Sequence, residues 1–395
     1  MKRFLLIALG LAMILTAVSC TAKEAASDPS TEESALSSTA LSSTEQPSEA
    51  PADPPKPLTD TVLNVAEHTS DVFRQLGRTY VKDGALNVDF ACGGIHFAAY
   101  CEGTVQVKIT SARDTRFTVF VDGVRSDLRP QVTTANSGGY FTIARDLPAG
   151  EHEFRLISQT QFIWSYGTIE AVKLKGEFLP KPADRELYLE FYGDSILNGS
   201  GVIKANDGIN GSDATRAFGF LTAEMLNADM SLIGCSSLGL TNNTRSFYMK
   251  DIWNYAGARY STFSKQGELL TGIPEWEFSR VPDVIIIEQG ANDGSNASKQ
   301  IFEDAVKEMV NNLRSKYGAD VPIVFPIGYS CPDRPFHTTL PQIVEKLGGA
   351  EANLYVCELS DVATGVPGTD GVHPNTEGAK TMATELTAFL KTILK

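Results

Sequence analysis

Residues 187–195 read Leu-Tyr-Leu-Glu-Phe-Tyr-Gly-Asp-Ser. The first six form an apolar-rich run that predicts a strand, and Gly193-Asp194-Ser195 follows at once, so a serine hydroxyl is expected where the strand ends. Two further blocks of this kind lie downstream. Val284 to Ile287 is a solid apolar run, as in a strand buried on both faces, and Gly290-Ala291-Asn292-Asp293 comes after it. Asp370-Gly371-Val372-His373-Pro374 precedes a final helical stretch through Leu394, with Asn375 as its N-cap. Between these blocks, Thr215 to Asn227 and Ile301 to Lys316 have helical spacing. Met230 to Ile233, Val321 to Phe325 and Leu354 to Cys357 read as strands. The alternation predicts a three-layer α/β domain with a parallel sheet over residues 185–395. Loops at strand ends are where such domains keep their chemistry.

Upstream the pattern changes. Over residues 58–180 strand signals dominate: Val105, Val107 and Ile109 alternate with polar residues, and Phe117 to Val121 leads into the hairpin signal Asp122-Gly123. Phe141-Thr142-Ile143 and Phe154 to Ile157 flank a turn-like Pro148-Ala149-Gly150. Short strands with regular turns predict a β-sandwich of jelly-roll type, and Lys181-Pro182-Ala183-Asp184 reads as the hinge to the α/β domain. Residues 21–57 are rich in Ser, Thr, Ala, Glu and Pro, and such a segment buries too little apolar surface to offset its ordering entropy. It is expected to be a disordered tether. Residues 1–20 read as an export signal: Lys2 and Arg3, then apolar Phe4 to Val18, then Ser19-Cys20. The apolar stretch is short for a membrane span. A cysteine after a small residue here is similar to the lipidation box of bacterial lipoproteins, with Ala17 where an aliphatic residue is usual. The expectation is a lipid anchor on Cys20 and an exported protein on the extracytoplasmic face; plain secretion is the alternative.

The chain has 395 residues, long enough for two domains, with 42% hydrophobic and 21% charged residues. A net charge of −14 argues against nucleic acid or an anionic membrane surface as partner and fits either a neutral substrate or a merely solvated acidic surface. Beyond Cys20 five cysteines remain, an odd number that cannot all pair. Cys92 and Cys101 are candidates for a bridge between neighbouring strands, and the rest are expected to be buried thiols. No cysteine–histidine cluster has zinc spacing, and no metal or organic cofactor is implied.

The order Gly193-Asp194-Ser195, Cys235-Ser236-Ser237-Leu238-Gly239, Gly290-Ala291-Asn292-Asp293 and Asp370 to Pro374 resembles that of the SGNH or GDSL hydrolase superfamily. With a β-rich domain in front, the exported part looks like carbohydrate esterase family 2, whose members deacetylate plant polysaccharides. The resemblance implies an exported serine esterase acting on O-acetyl groups of xylan- or mannan-type chains. Its partner would be acetylated carbohydrate, with membrane contact only through the N-terminal lipid. Another acyl hydrolase of the superfamily (lipase, thioesterase or peptidoglycan O-acetyl esterase) is the first rival. A cell-surface carbohydrate-binding protein with a vestigial hydrolase domain is the second.

The residue types fit acyl transfer on their own chemistry. Ser195 needs a base to become a nucleophile, His373 is the candidate base, and Asp370 is placed to hold its tautomer. The Ser195 and Gly239 backbone N–H groups and the Asn292 side-chain amide are candidate oxyanion donors. Each has a plainer reading: Gly-Asp-Ser as a turn, Asn292 as a helix cap, His373 as a loop histidine. Some family members orient the histidine through backbone instead of the aspartate, so both arrangements stay open for Asp370. Trp276 is either a platform for a sugar ring or a core residue. Asp293 is expected to brace the site. His68, His96 and His152 read as structural or exposed, and His337 as an exposed histidine in the loop 329–338.

Overall fold

The computed structural model describes residues 57–395 except 112–113, 134–135, 137, 165, 242–246, 260–268, 294–297, 331–334 and 395. The signal segment with Cys20, nearly all of the tether, and Cys331 therefore lie outside the described residues. No helix among the described residues is long and apolar enough to cross a membrane.

The first half is antiparallel. Its strands are β1 (Asp60–Asn64), β2 (Arg74–Leu76), β3 (Tyr80–Lys82), β4 (Ala85–Val88), β5 (Gly94–Thr110), β6 (Thr115–Val121), β7 (Val124–Arg125), β8 (Gln131–Val132), β9 (Gly138–Ser158) and β10 (Gly167–Phe178). They hydrogen-bond into one network, in the order β3-β4-β10-β5-β9-β6-β7, with β1 on β10, β2 on β5 and β8 on β6. The alternation in β5 is realised: Val105, Val107 and Ile109 are fully buried in one core with Phe97, Phe117, Phe154 and Leu156. Asp122 and Gly123 both adopt positive φ and close the β6–β7 hairpin, as a two-residue turn matched to strand twist requires.

Two expectations fail here. Pro148-Ala149-Gly150 is no turn between two strands but part of β9, where the register against β5 slips from Cys101↔Gly150 to Gly103↔Leu147 and Val105↔Ala144. A bulged stretch tolerates a proline without an N–H. Cys92 and Cys101 are not bridged either, and both are buried free thiols, as are Cys235 and Cys357. Cys92 precedes β5 and Cys101 lies within it, so the two are spaced along one extended segment rather than across two strands. They also pack in different cores.

The second half is a five-stranded parallel sheet of β11 (Leu187–Gly193), β12 (Ala228–Gly234), β13 (Val284–Glu288), β14 (Ile323–Ile327) and β15 (Leu354–Glu358), in the order β12-β11-β13-β14-β15. Its helices are α1 (Phe218–Met225), the single turn α2 (Met249–Ile252), α3 (Lys299–Tyr317), α4 (Pro335–Lys346) and α5 (Thr376–Ile393). Strand residues alternate between two cores. Ile285 and Ile287 pack with Phe302 and Val306 of α3 and Leu340 and Ile343 of α4. Val284 and Ile286 pack with Phe218 of α1 and Met382 and Leu386 of α5. The layers are therefore helices, sheet, helices. Helix α1 is shorter than its spacing indicates, because Ala217 is extended and separates it from a 3-10 turn at Ala214–Arg216.

Gly193 and Gly234 face each other in register at the carboxyl ends of β11 and β12. A Cβ on Gly234 would stand 1.9 Å from the Gly193 carbonyl oxygen, and one on Gly193 would stand 2.6 Å from Glu288 Oε2. Only hydrogen fits at either position, and that permits the close approach on which the site below depends.

Candidate active site

The sheet order places β11 between β12 and β13, so the connections leaving β11 and β12 diverge. At such a reversal of strand order the carboxyl ends of the strands leave a crevice. Ser195 follows β11, Gly239 follows β12 and Asn292 follows β13, so all three are delivered to that crevice. His373 and Asp370 arrive on the turn before α5. That turn is held by Asn375, whose side chain accepts from Gly378 N–H at 2.9 Å, and by Ser330 Oγ, which donates to the Val372 carbonyl at 2.7 Å.

Ser195, His373 and Asp370 meet in one hydrogen-bonded series. His373 Nε2 lies 2.8 Å from Ser195 Oγ, and His373 Nδ1 lies 2.8 Å from Asp370 Oδ2. The other Asp370 oxygen accepts from the backbone N–H groups of Val372 (3.0 Å) and His373 (2.8 Å). Partial burial disfavours the Asp370 carboxylate, but those N–H groups and the imidazole outweigh it and hold its pKa below the ordinary value. An ionised Asp370 accepts at Nδ1, which leaves Nε2 as the basic nitrogen facing Ser195. Ser195 is 9% exposed, sheltered yet reachable.

Asp194 is the hub beneath the nucleophile. Its Oδ1 accepts from Ile196 N–H at 2.9 Å, its Oδ2 from Asn292 Nδ2 at 2.6 Å, and its backbone carbonyl from Asn198 Nδ2 at 2.8 Å. Its own N–H donates to Glu288 Oε2 at 2.9 Å. Glu288 is fully buried and its other oxygen accepts from Tyr329 Oη at 2.5 Å. Burial, reinforced by the nearby Asp194 carboxylate, pushes the Glu288 pKa well above the usual carboxylate range.

Asn292 does more than point into the crevice. Its Nδ2 also donates to the Leu238 carbonyl at 3.1 Å, so both amide hydrogens already have acceptors. Carbonyl and N–H of one trans peptide point in opposite directions, so fixing the Leu238 carbonyl also fixes the Gly239 N–H. Among the described residues neither that N–H nor the Ser195 N–H meets an acceptor. Asp293 braces the neighbouring loop, accepting from Thr241 N–H at 2.6 Å and Thr241 Oγ1 at 2.8 Å.

Three residues here escaped the sequence reading. Glu288 carried a faint signal, a carboxylate closing a run buried on both faces. Tyr329 carried none. Gln161 belongs to the β-rich half, yet its Oε1 accepts from Ser236 N–H at 2.5 Å and its Nε2 donates to Ser236 Oγ at 2.8 Å, which supports the turn leading to Gly239. Trp276 is not brought to this site. It lines a cavity with Tyr188 and Asp229, at the amino ends of β11 and β12. His337 is not an exposed loop residue: it lies in α4, 2% exposed, with its ring 4.9 Å from that of Tyr329. His68, His96 and His152 pair with Asp71, Glu153 and Asp122 in the β-rich half. Among the described residues no group of three or more His, Cys, Asp or Glu side chains is placed to hold a metal ion.

The model of the GDSL-like lipase/acylhydrolase family matches residues 189–386, from β11 into α5. The chain belongs to this family. A cellulase/esterase, CelE, of Acetivibrio thermocellus is 28% identical over 228 residues, which is 53% of this chain and 25% of CelE, so the match spans only a quarter of that relative. Two solved structures share the fold of both halves. A family two carbohydrate esterase from Clostridium thermocellum superposes with a TM-score of 0.72 at 22% identity, covering 82% of this chain and 98% of that one. The acetyl xylan esterase Est2A of Butyrivibrio proteoclasticus does so with a TM-score of 0.72 at 19% identity, covering 85% and 99%. The GDSL-like domain is thus preceded by an antiparallel β-rich half in this chain and in those structures alike.

Proposed function

We propose that the chain is an exported serine esterase that removes O-acetyl groups from neutral plant polysaccharides or their oligosaccharides, of xylan or mannan type. The observation that carries the reading is the unbroken series Asp370–His373–Ser195 at the carboxyl edge of the sheet. His373 Nε2 takes the proton of Ser195 Oγ as that oxygen bonds to the acetyl carbon. The tetrahedral oxyanion is met by the Ser195 and Gly239 N–H groups. Collapse breaks the bond to the sugar oxygen, which leaves with the proton from Nε2. Water, activated by the same nitrogen, then releases acetate and restores Ser195. Asn292 holds the Gly239 peptide and gives the oxyanion a hydrogen only by sharing it with Leu238 or Asp194. Relatives named cellulase/esterase, carbohydrate esterase and acetyl xylan esterase support a carbohydrate ester as substrate. A chain of net charge −14 favours a neutral polymer over a polyanion. In this reading residues 185–395 carry the chemistry, residues 58–180 buttress it, and Cys20 anchors the mature protein by a lipid.

The test is acetate release from acetylated xylan, acetylated glucomannan and acetylated peptidoglycan, beside p-nitrophenyl acetate and a long-chain ester. Acetylated xylan or glucomannan and the short ester are expected to be cleaved, and acetylated peptidoglycan and the long-chain ester not. Ser195→Ala is expected to abolish turnover while circular dichroism stays unchanged. A folded Ser195→Ala variant with substantial turnover removes Ser195 from the mechanism, and a wild type inert on every ester leaves a binding protein with a vestigial site.

A further inference from the structure

A cavity of about 740 Å³ opens between the β2–β3 segment and the amino ends of β11 and β12. That volume lies within the range of small-ligand sites. Tyr188 lines it, seven residues before Ser195; at about 3.3 Å per residue the two ends of β11 are roughly 20 Å apart. The cavity is therefore a separate place from the crevice that holds Ser195.

Its wall is built rather than incidental. Trp276 is half-buried there, with the Arg78 guanidinium 5.3 Å from its ring centroid and its backbone N–H donating to the Asn254 carbonyl at 2.8 Å. The indole is held from behind and through its backbone, so little side-chain freedom is left to lose on binding. Beside it, Asp229 accepts from Arg280 Nη1 at 2.7 Å and from Arg74 Nη1 at 2.8 Å. The Arg280 guanidinium in turn lies 4.9 Å from the Tyr188 ring centroid. The lining carries three cationic side chains and four acidic ones, and its buried arginine is already bound to an aspartate. Such a wall is within one charge of balance, and the Arg280 side chain stays 35% exposed beside an Asp229 that is 13% exposed. A planar aromatic surface beside fixed polar groups suits a molecule with an apolar face and a hydroxylated edge.

We propose that this cavity is a second, non-catalytic binding site for a neutral oligosaccharide, with Trp276 as the platform for one sugar ring and the Asp229–Arg280 pair as the partner of its hydroxyls. The site is independent of the esterase reading: it would tether the enzyme to a glycan while the crevice across the sheet stays open.

Calorimetric titration of the full chain with unacetylated xylohexaose, mannohexaose and cellohexaose tests this, because none of them carries an ester. At least one is expected to bind the wild type, and to bind Ser195→Ala equally well. Trp276→Ala is expected to weaken that binding about tenfold or more, the loss typical of a buried aromatic anchor. Ser279→Trp, at an exposed wall position, is expected to do the same by filling the cavity, and it decides the question if Trp276→Ala proves unfolded by circular dichroism. Hydrolysis of p-nitrophenyl acetate is not expected to be slowed by the Trp276 and Ser279 substitutions. Absence of binding by all three sugars, binding untouched in the folded variants, or hydrolysis slowed in those variants would each overturn the proposal. Because binding is read without catalysis, an inert esterase with an intact second site, and an active esterase without one, give different results.

Discussion

Asp370 meets the ring of His373, and in the proposed mechanism the chemistry of Ser195 depends on that contact. Its Oδ2 is 2.8 Å from His373 Nδ1 and its Oδ1 is held by two backbone N–H groups, so the carboxylate is fixed as well as ionised. Replacing it by asparagine puts an amide where the ring nitrogen needs an acceptor and favours the wrong tautomer. Asp370→Asn is expected to lower kcat by roughly 10⁴ with little change in KM, as when a triad aspartate is lost. A variant that keeps most of its kcat would leave a Ser195–His373 dyad oriented by backbone. Glu288 makes a prediction of the opposite kind, about stability. Burial and the Asp194 carboxylate raise its pKa in the fold, whereas in the unfolded chain it ionises near its ordinary value of 4.5. The folded state then binds more protons above that pH. The stability this provides is fully present below about pH 4.5 and is lost as pH rises toward the folded pKa. Glu288→Gln stays neutral throughout and keeps an acceptor oxygen. Its stability relative to wild type is therefore expected to improve between pH 4.5 and 8, read as the difference in urea midpoints at the two pH values. A difference that does not change with pH would show that Glu288 is charged in the fold.

At the scale of elements, α5 links helix capping to the histidine. Asn375 caps the helix two residues after His373, and removing its side chain leaves the Gly378 N–H unpaired. Asn375→Ala is expected to cost about 1 kcal/mol of stability, seen as a lower denaturation midpoint, with kcat reduced far less than by Asp370→Asn because Ser330 still holds the same turn. This cap was legible in the sequence, and so were β11, β13, α3 and the series Ser195, His373 and Asp370. Each rests on a local rule: an apolar run with a turn after it, a 3.6-residue stripe, an Asn before an amphipathic helix. What stayed hidden depends on distant partners. Proline and glycine at 148–150 signal a turn locally, but pairing with β5 carries the chain straight through as a bulge. Gln161 gives no hint of Ser236, seventy-five residues away. Asn292 reads as an oxyanion donor from its spacing, whereas its hydrogen bonds to Asp194 and Leu238 exist only once three loops have converged. Trp276 lies before a strand, and on that ground alone the carboxyl end of the sheet was no better a guess than the amino end, where it stands.

At the scale of the molecule, the two halves are joined by ion pairs as well as by apolar packing. Arg78, between β2 and β3, is fully buried; its Nη2 donates to Glu190 Oε1 at 2.9 Å and to Tyr192 Oη at 2.8 Å, and its Nη1 donates to the carbonyls of Trp253 (2.6 Å) and Tyr255 (3.1 Å). Glu190, equally buried in β11, accepts at its other oxygen from Tyr188 and Tyr317, each at 2.9 Å. Burial alone would make the guanidinium easier to deprotonate, but the neighbouring Glu190 reverses that, so the guanidinium stays charged. Asp89 with Arg259, and Glu224 with Arg155, also pair charges between the halves, each with one partner partly exposed. A buried pair is weak evidence for net stability, since desolvation offsets much of the attraction, whereas removing one partner strands the other. Arg78→Met should therefore cost about 3–5 kcal/mol, and Glu190→Gln combined with it should recover a clear part of that loss, because no uncompensated charge then remains in the core. The same reasoning applies to residues 185–395 expressed alone. Without Arg78 the Glu190 carboxylate has no cation, so this fragment is expected to be unfolded or insoluble although it holds every residue of the Ser195 series. Urea unfolding of the wild type and the two variants, followed both by tryptophan fluorescence and by circular dichroism, reads the cost and whether the halves unfold together, and circular dichroism of the soluble fraction reads the fragment. A loss below about 1 kcal/mol for Arg78→Met, or a soluble and cooperatively folded fragment, would mean that the α/β half is stable by itself and that Arg78 only decorates a boundary formed by other contacts.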